Sequence, residues 1–244
     1  SNIQRTHNEM RTAGVGSDTQ PPIPTLTRRS ARLAGNVHNL VANDVKRVLI
    51  LFAGRAGTDQ TTTGERLRQL QMEVDEIDLL IGGVSHNMLK MRPRMEVIEA
   101  VRSGKYDAIW MAPPCGTWSV VREPKLRTGK HIMGLPNLSK EEQLLVDRTN
   151  ELANITAVIA HIAGSLGIPW FIEQPADRGD LTSDAYWDEI DDPPHMFNMP
   201  VFRNLRAVAQ PQMITFPQCA LDANAQKFTT IMASKDMQML LKPF

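Results

Sequence analysis

The sequence predicts an α/β fold with a mostly parallel sheet, helices on both faces and a closing antiparallel hairpin. Three observations point there. From residue 46 onward, short apolar runs alternate with segments of helical period. Several runs are apolar almost throughout, as strands covered on both faces are. They stop at glycine, proline or an acid, where a chain leaving a sheet turns.

Lys46–Phe52 (KRVLILF) is the first strand, and Gly54 and Gly57 follow it as a turn. Residues 61–70 form a short helix. Met72–Asp78 (MEVDEID) alternates and ends in acid, so it is the second strand. Pro93 suits the first turn of a helix that runs to about Ser103. Tyr106–Ala112 (YDAIWMA) is a strand stopped by Pro113-Pro114. Ser139-Lys140-Glu141-Glu142 is a capping box. Behind it Leu145, Leu152, Ile155, Ile159, Ile162 and Leu166 mark the inner face of a helix that ends near Gly164–Gly167. Ile168–Glu173 is a further strand, and Gln210–Thr215 and Lys227–Ala233 are the closing pair.

The chain has 244 residues, enough for one or two domains with a substantial core. Hydrophobic residues make up 42% and charged residues 22%, which excludes collagen-like, mucin-like and wholly disordered classes. Apolar runs are too short for a membrane span, and no secretory leader is expected. The two cysteines, Cys115 and Cys219, make no disulfide scaffold, and Cys219 reads as structural. Together with six histidines they show no zinc spacing, so no metal is expected. An intracellular location follows, nuclear if the source is eukaryotic.

Residues 1–44 are polar, with Pro21, Pro22 and Pro24 interrupting any helix, and read as a flexible basic arm. Residues 45–244 read as one α/β domain. The net charge is zero, yet charge is unevenly placed. Residues 1–47 carry seven basic side chains against three acids. The cluster Arg28-Arg29-Ser30-Ala31-Arg32-Leu33 suits a solvated linker, a nucleic-acid-touching arm or a targeting signal. Arg122, Lys125, Arg127, Lys130 and Lys140 crowd residues 116–140 against Glu123 alone. Residues 173–192 hold eight acids against Arg178 alone. Basic segments of a neutral chain can still bind a polyanion locally.

Ligands of open α/β sheets bind beyond the carboxyl ends of the strands. Phe52-Ala53-Gly54-Arg55-Ala56-Gly57 is either a plain tight turn or a cofactor loop, and it lacks the dinucleotide glycine fingerprint. Asp78 is placed to accept ribose hydroxyls, with Glu76 as the competing acid. Asn87 carries the donor and acceptor to read an adenine edge, or is a turn residue; His86 reads as structural. Pro113-Pro114 rigidify the backbone before Cys115, which is then a nucleophile at a cleft mouth or a packed thiol. The loop behind it offers Arg122, Lys125, Arg127, Lys130 and His131 to a phosphate backbone. Glu173 ends the next strand, either as an acid facing the same cleft as Cys115 or as an ordinary strand-end acid.

Taken together, these segments resemble the DNA cytosine-5 methyltransferase family over roughly residues 46–175. The Phe52–Gly57 turn resembles that family's S-adenosylmethionine (SAM) motif, and Asp78 its ribose acid. Asn87 falls where the family has an aspartate near the adenine. Pro113-Pro114-Cys115 with Ser119 resembles its proline-cysteine motif, and Glu173-Gln174-Pro175 its Glu-Asn-Val motif. The resemblance implies a Rossmann-like fold with SAM as cofactor and S-adenosylhomocysteine as product. It also implies cofactor contacts from Phe52, Ala53, Gly54, Gly57, Asp78, Asn87 and Pro113. Catalysis would fall to Cys115, which adds to carbon 6 of cytosine, and Glu173, which holds the ring nitrogen and amino group. The implied partner is nucleic acid, DNA in preference to RNA, touched by Arg122, Lys125, Arg127, Lys130 and Arg203.

The family's Gln-x-Arg-x-Arg motif has no clear counterpart, Arg203 and Arg206 being the nearest basic pair. Only 38 residues follow Arg206, too few for the family's target-recognition domain, and its last motif has no match. The arm and compact core resemble segments of retroelement polyproteins, whose other domains would supply recognition. Three functions stay open: an active methyltransferase, a SAM- and nucleic-acid-binding module without turnover, and an unrelated nucleotide-binding α/β enzyme.

Overall fold

The computed structural model describes residues 47–54, 62–221 and 227–235. Gly57, the arm at 1–44 and its arginine cluster lie outside them. All described residues belong to one compact unit. Its centre is a six-stranded mixed sheet in the order β2-β1-β3-β4-β6-β5. The strands are β1 (Arg47–Leu51), β2 (Glu73–Ile77), β3 (Ala108–Met111), β4 (Trp170–Pro175), β5 (Gln212–Pro217) and β6 (Phe228–Ala233). Strands β1 to β4 pair in parallel, and β6 runs antiparallel between β4 and β5.

Alternation along the strands gives the sheet two unlike faces. One face presents Leu49, Leu51, Ile109, Met111, Trp170 and Ile172 to the main core. Helices α3 (Met91–Arg102), α4 (Lys140–Ser165) and α5 (Pro200–Ala209) pack there through Val97, Val101, Ile155, Ile159, Phe202 and Leu205. The other face presents Val48, Ile50 and Ala108 to a smaller cluster, which α1 (Thr63–Gln69) joins through Leu67. A one-turn helix, α2 (Leu79–Gly82), follows β2.

Local chemistry accounts for the helix starts. Ser139 accepts from the Glu142 N–H while Glu142 bonds back to the Ser139 N–H, the expected capping box. Thr62 and Glu65 make a second such box at α1. In α4 the buried stripe differs from expectation. Ile155 and Ile159 are buried, but Leu145 and Leu166 are exposed. Beside the two isoleucines the inner stripe holds Ala153, Ala157, Ala160 and Ala163, small residues that let the helix lie close on the sheet. Helix α5 was not expected. Pro200 at its first turn fixes the start, and only Phe202 and Leu205 are buried. No described helix is long and apolar enough to cross a membrane.

Candidate active site

Strand order reverses between β1 and β3, since the chain leaves β1 for β2 on one side and returns to β3 on the other. A crevice opens at the carboxyl ends of strands at such a point. The first residues beyond β1 turn sharply. Phe52 has φ +62°, a left-handed conformation uncommon for a bulky side chain, and Gly54 has φ +71°. The Phe52 N–H donates to the Ile77 carbonyl at 2.8 Å, which joins this turn to the end of β2.

The two acids after β1 divide their roles. Asp78 accepts from the Gly54 N–H at 3.0 Å and from the Leu80 N–H at 2.7 Å, so it locks the turn and caps α2. Glu76 belongs to the strand and lines a cavity of about 260 Å³, which Phe52, Ala53, Trp110 and Glu173 also line. Arg68 holds the Glu76 carboxylate at 2.6 Å. The carboxylate also fills the space a side chain on Gly64 would take, since a Cβ there would lie 2.3 Å from Glu76 Oε1. Asn87 uses its side-chain oxygen on the Leu89 N–H at 3.1 Å, as a turn residue does. His86 Nδ1 accepts from the Asp78 N–H at 3.3 Å, which is the structural role expected of it.

Beyond β3, Pro113 is buried and its carbonyl accepts from Gln174 Nε2 at 2.8 Å. Gln174 is 1% exposed and lies next to Glu173, so one buried amide ties the Pro-Pro-Cys segment to β4. Cys115 is half-buried. Burial pushes its thiol pKa up, the nearby Lys227 cation pulls it down, and the Glu173 carboxylate pushes it up again. Thiol and carboxylate therefore share one electrostatic environment at adjacent strand ends. Glu173 Oε1 is buried without a hydrogen-bond partner among the described residues. Its nearest cation is Lys227 Nζ at 3.7 Å.

Lys227 is the residue that sequence reasoning missed. Because β6 runs antiparallel to β4, its start and not its end abuts the site; Pro175 pairs with Thr229. The lysine just before the strand then lines the same cavity as Glu173. The one local signal was its place at the head of the hairpin strand Lys227-Phe228-Thr229-Thr230.

The basic loop behind Cys115 is a partial correction. Lys125 and Lys130 are exposed, Arg122 is half-buried, and Arg203 projects from α5, which packs on α4. Arg127 cannot touch a phosphate. It is 1% exposed, with its guanidinium 3.8 Å from the centre of the Trp118 ring. It donates to Thr117 Oγ1, the Ile132 carbonyl, Asn150 Oδ1, Thr149 Oγ1 and the Val146 carbonyl. Five donors in a planar fork explain why an arginine rather than a lysine joins the loop to α4. Cys219, expected to be structural, is exposed.

No group of three or more metal-ligating side chains occurs among the described residues. Comparison of the chain with protein-family models, curated proteins and solved structures returns no match.

Proposed function

We propose that this chain is a SAM-dependent methyltransferase. The reading rests on a cavity at the strand-order reversal, walled by the Phe52–Ala53 turn and the Glu76 carboxylate. Its size is close to the lower end for small-molecule sites, about 300 Å³. The absence of a side chain on Gly64 leaves room for the Glu76 carboxylate on the α1 side of that wall, where Arg68 holds it, which suits a ribose diol. Glu76 is thus the better ribose acid, because both Asp78 oxygens already serve backbone N–H groups. When bound, SAM supplies an electrophilic methyl group and leaves as S-adenosylhomocysteine.

Within that class we propose carbon 5 of cytosine in DNA as the acceptor. The observation that carries this is the Glu173 carboxylate at the adjacent strand end, near enough to act on the Cys115 thiol and with its buried Oε1 lacking a hydrogen-bond partner among the described residues. Cys115 Sγ, as thiolate, bonds to carbon 6, and the ring electrons shift so that carbon 5 becomes nucleophilic. Glu173 holds the ring nitrogen, which takes up a proton from solvent, with one oxygen and accepts from the exocyclic amine with the other. Lys227 stabilises the thiolate before attack. After carbon 5 is methylated, a base takes its proton and the Cys115 bond to carbon 6 breaks, which restores the ring. In a duplex the base must first leave the stack at about a few kcal/mol. The proposal includes a nuclear location in a eukaryotic source and partner domains that supply recognition.

A second reading, a SAM- and nucleic-acid-binding module without turnover, draws support from the burial that pushes the Cys115 thiol up. The test is methyl transfer from labelled SAM to DNA and to RNA, for wild type and Cys115→Ala side by side. Label in cytosine that the variant loses supports the covalent reading. SAM binding without label selects the module, and no SAM affinity removes both.

A further inference from the structure

The acidic stretch after β4 does not stand apart from the basic loop. Asp192 lies in the turn formed by Thr128, Gly129, Lys130 and His131. Its carboxylate accepts from the Lys130 N–H at 3.0 Å, and its carbonyl accepts from the Gly129 N–H at 2.8 Å. The fit is close. A Cβ on Gly129 would lie 2.3 Å from Asp192 Oδ1, so the turn admits the carboxylate only because that residue is glycine. Asp192 itself has φ +46°, in the left-handed region. The Lys130 N–H, ahead of all other causes, holds its carboxyl below the usual range; Thr128 and the Lys130 and His131 charges act the same way. A backbone N–H beside an exposed lysine makes an anion-binding concavity; here the Lys130 N–H is the group that faces the carboxylate, while the His131 N–H serves Thr128 Oγ1. This one already holds an anion, supplied by the protein itself.

The geometry points to residues 128–131 as a phosphate-binding turn of a single-stranded nucleic acid, kept closed in the free protein by Asp192. The inference rests on the reading of the Cys115 loop as a nucleic-acid contact. Lys125, Lys130 and His131 are exposed around the turn, as a phosphate partner requires. Asp180, Asp184, Asp188, Glu189 and Asp191 lie on the same segment as Asp192 and are exposed too. A strand approaching the turn meets that negative strap first. A phosphate that takes the Lys130 N–H must displace Asp192, and the strap leaves with it. A duplex would bring its second strand over the same acids, which is why the single strand is the favoured ligand.

The experiment is fluorescence anisotropy with a labelled single-stranded DNA of about 12 nucleotides. It compares the wild-type full chain, Asp192→Asn, Lys130→Ala and the double variant. Asp192→Asn keeps an oxygen for the Lys130 N–H but removes the charge. It is expected to bind about threefold to tenfold tighter, with a salt slope steeper by about 0.7, one single-strand phosphate contact. The added Lys130→Ala is expected to cancel most of that gain. No gain in Asp192→Asn, or a gain that Lys130→Ala leaves whole, overturns the inference. Should Asp192→Asn fail to fold, wild type alone decides: cleavage after the exposed Glu189 by a glutamate-specific protease must quicken when the strand is bound. Unchanged or slower cleavage overturns it. None of these measurements needs SAM, so methyl transfer can stand while this fails, and the reverse.

Discussion

Arg127→Ala tests the assignment of this arginine to the interior, where the sequence placed it on nucleic acid. The magnitude follows from opposing effects. Truncation orphans two buried acceptors, the Ile132 carbonyl and Asn150 Oδ1. Each costs about 1–3 kcal/mol when left unpaired. The stacked Trp118 loses a cation–π contact worth about 1–2 kcal/mol. Against this, burial lowers the guanidinium pKa to about 10, more than two powers of ten below its ordinary value. Holding the charge inside therefore already costs the wild type about 3 kcal/mol, at about 1.4 kcal/mol per tenfold change. The balance is a net loss of about 2–3 kcal/mol for Arg127→Ala, read as a lower urea midpoint with an unchanged slope. Arg127→Lys keeps the charge but not the fork, and is expected to be destabilised as well. The folded variants are expected to bind single-stranded DNA like wild type at low temperature. A loss under about 1 kcal/mol would mean the charge penalty already cancels the network. A specific loss of DNA affinity in folded protein would return Arg127 to the surface role.

Gly64→Ala needs no backbone strain, since Gly64 is helical in α1, but its new methyl displaces the Glu76 carboxylate. It should leave stability equal or higher, alanine being better in a helix by about 1 kcal/mol. It should weaken S-adenosylhomocysteine binding about tenfold by calorimetry, as for one or two lost hydrogen bonds to a charged group; unchanged affinity would exclude Glu76 as a ligand. For Cys115, the rate of alkylation against pH reports the thiolate. Its folded pKa is raised, so the profile should lie above that of free cysteine. Lys227→Met removes the group that pulls the thiol down and should move the profile higher still, with Lys227→Arg restoring it. A profile that does not respond to the charge at 227 would remove the lysine from the site.

Much of the sheet was legible because buried parallel strands are nearly uninterrupted apolar runs. Edges were read too long for a local reason. The run Lys46–Phe52 continues past Leu51, yet Phe52 adopts φ +62° and leaves the ladder. In α4, leucine and isoleucine were taken as the inner face by size. Ile155 and Ile159 do lie there, but the rest of the face carries Thr149 and Asn150, which bond the Arg127 fork, and alanines, because the sheet is near. Arg127 shows why a loop's charge cannot be read locally. Its partners come from Thr117, Thr149 and Asn150, 10, 22 and 23 residues away. A basic residue among other basic residues carries no mark of that convergence.

The acids at the end of β2 show the opposite case, where periodicity already placed the side chains. Register places Glu76 beside Ile50, Ile50 beside Trp110, and Trp110 beside Phe171. Glu173 follows Phe171 by two residues, so Glu76, Trp110 and Glu173 share one face of the sheet. Asp78 lies past the strand, where its short side chain reaches backbone N–H groups instead. That shared face is the one which, among the described helices, α1 covers, while α3, α4 and α5 crowd the other. The cavity lined by both carboxylates falls on the thinly covered face. The position of Lys227 follows from the same geometry. A sixth parallel strand would have brought its far end to Glu173; an antiparallel return brings its first residues, and with them a cation. The reversal of a single strand thus decides that it is Lys227 whose ammonium group the Glu173 carboxylate faces.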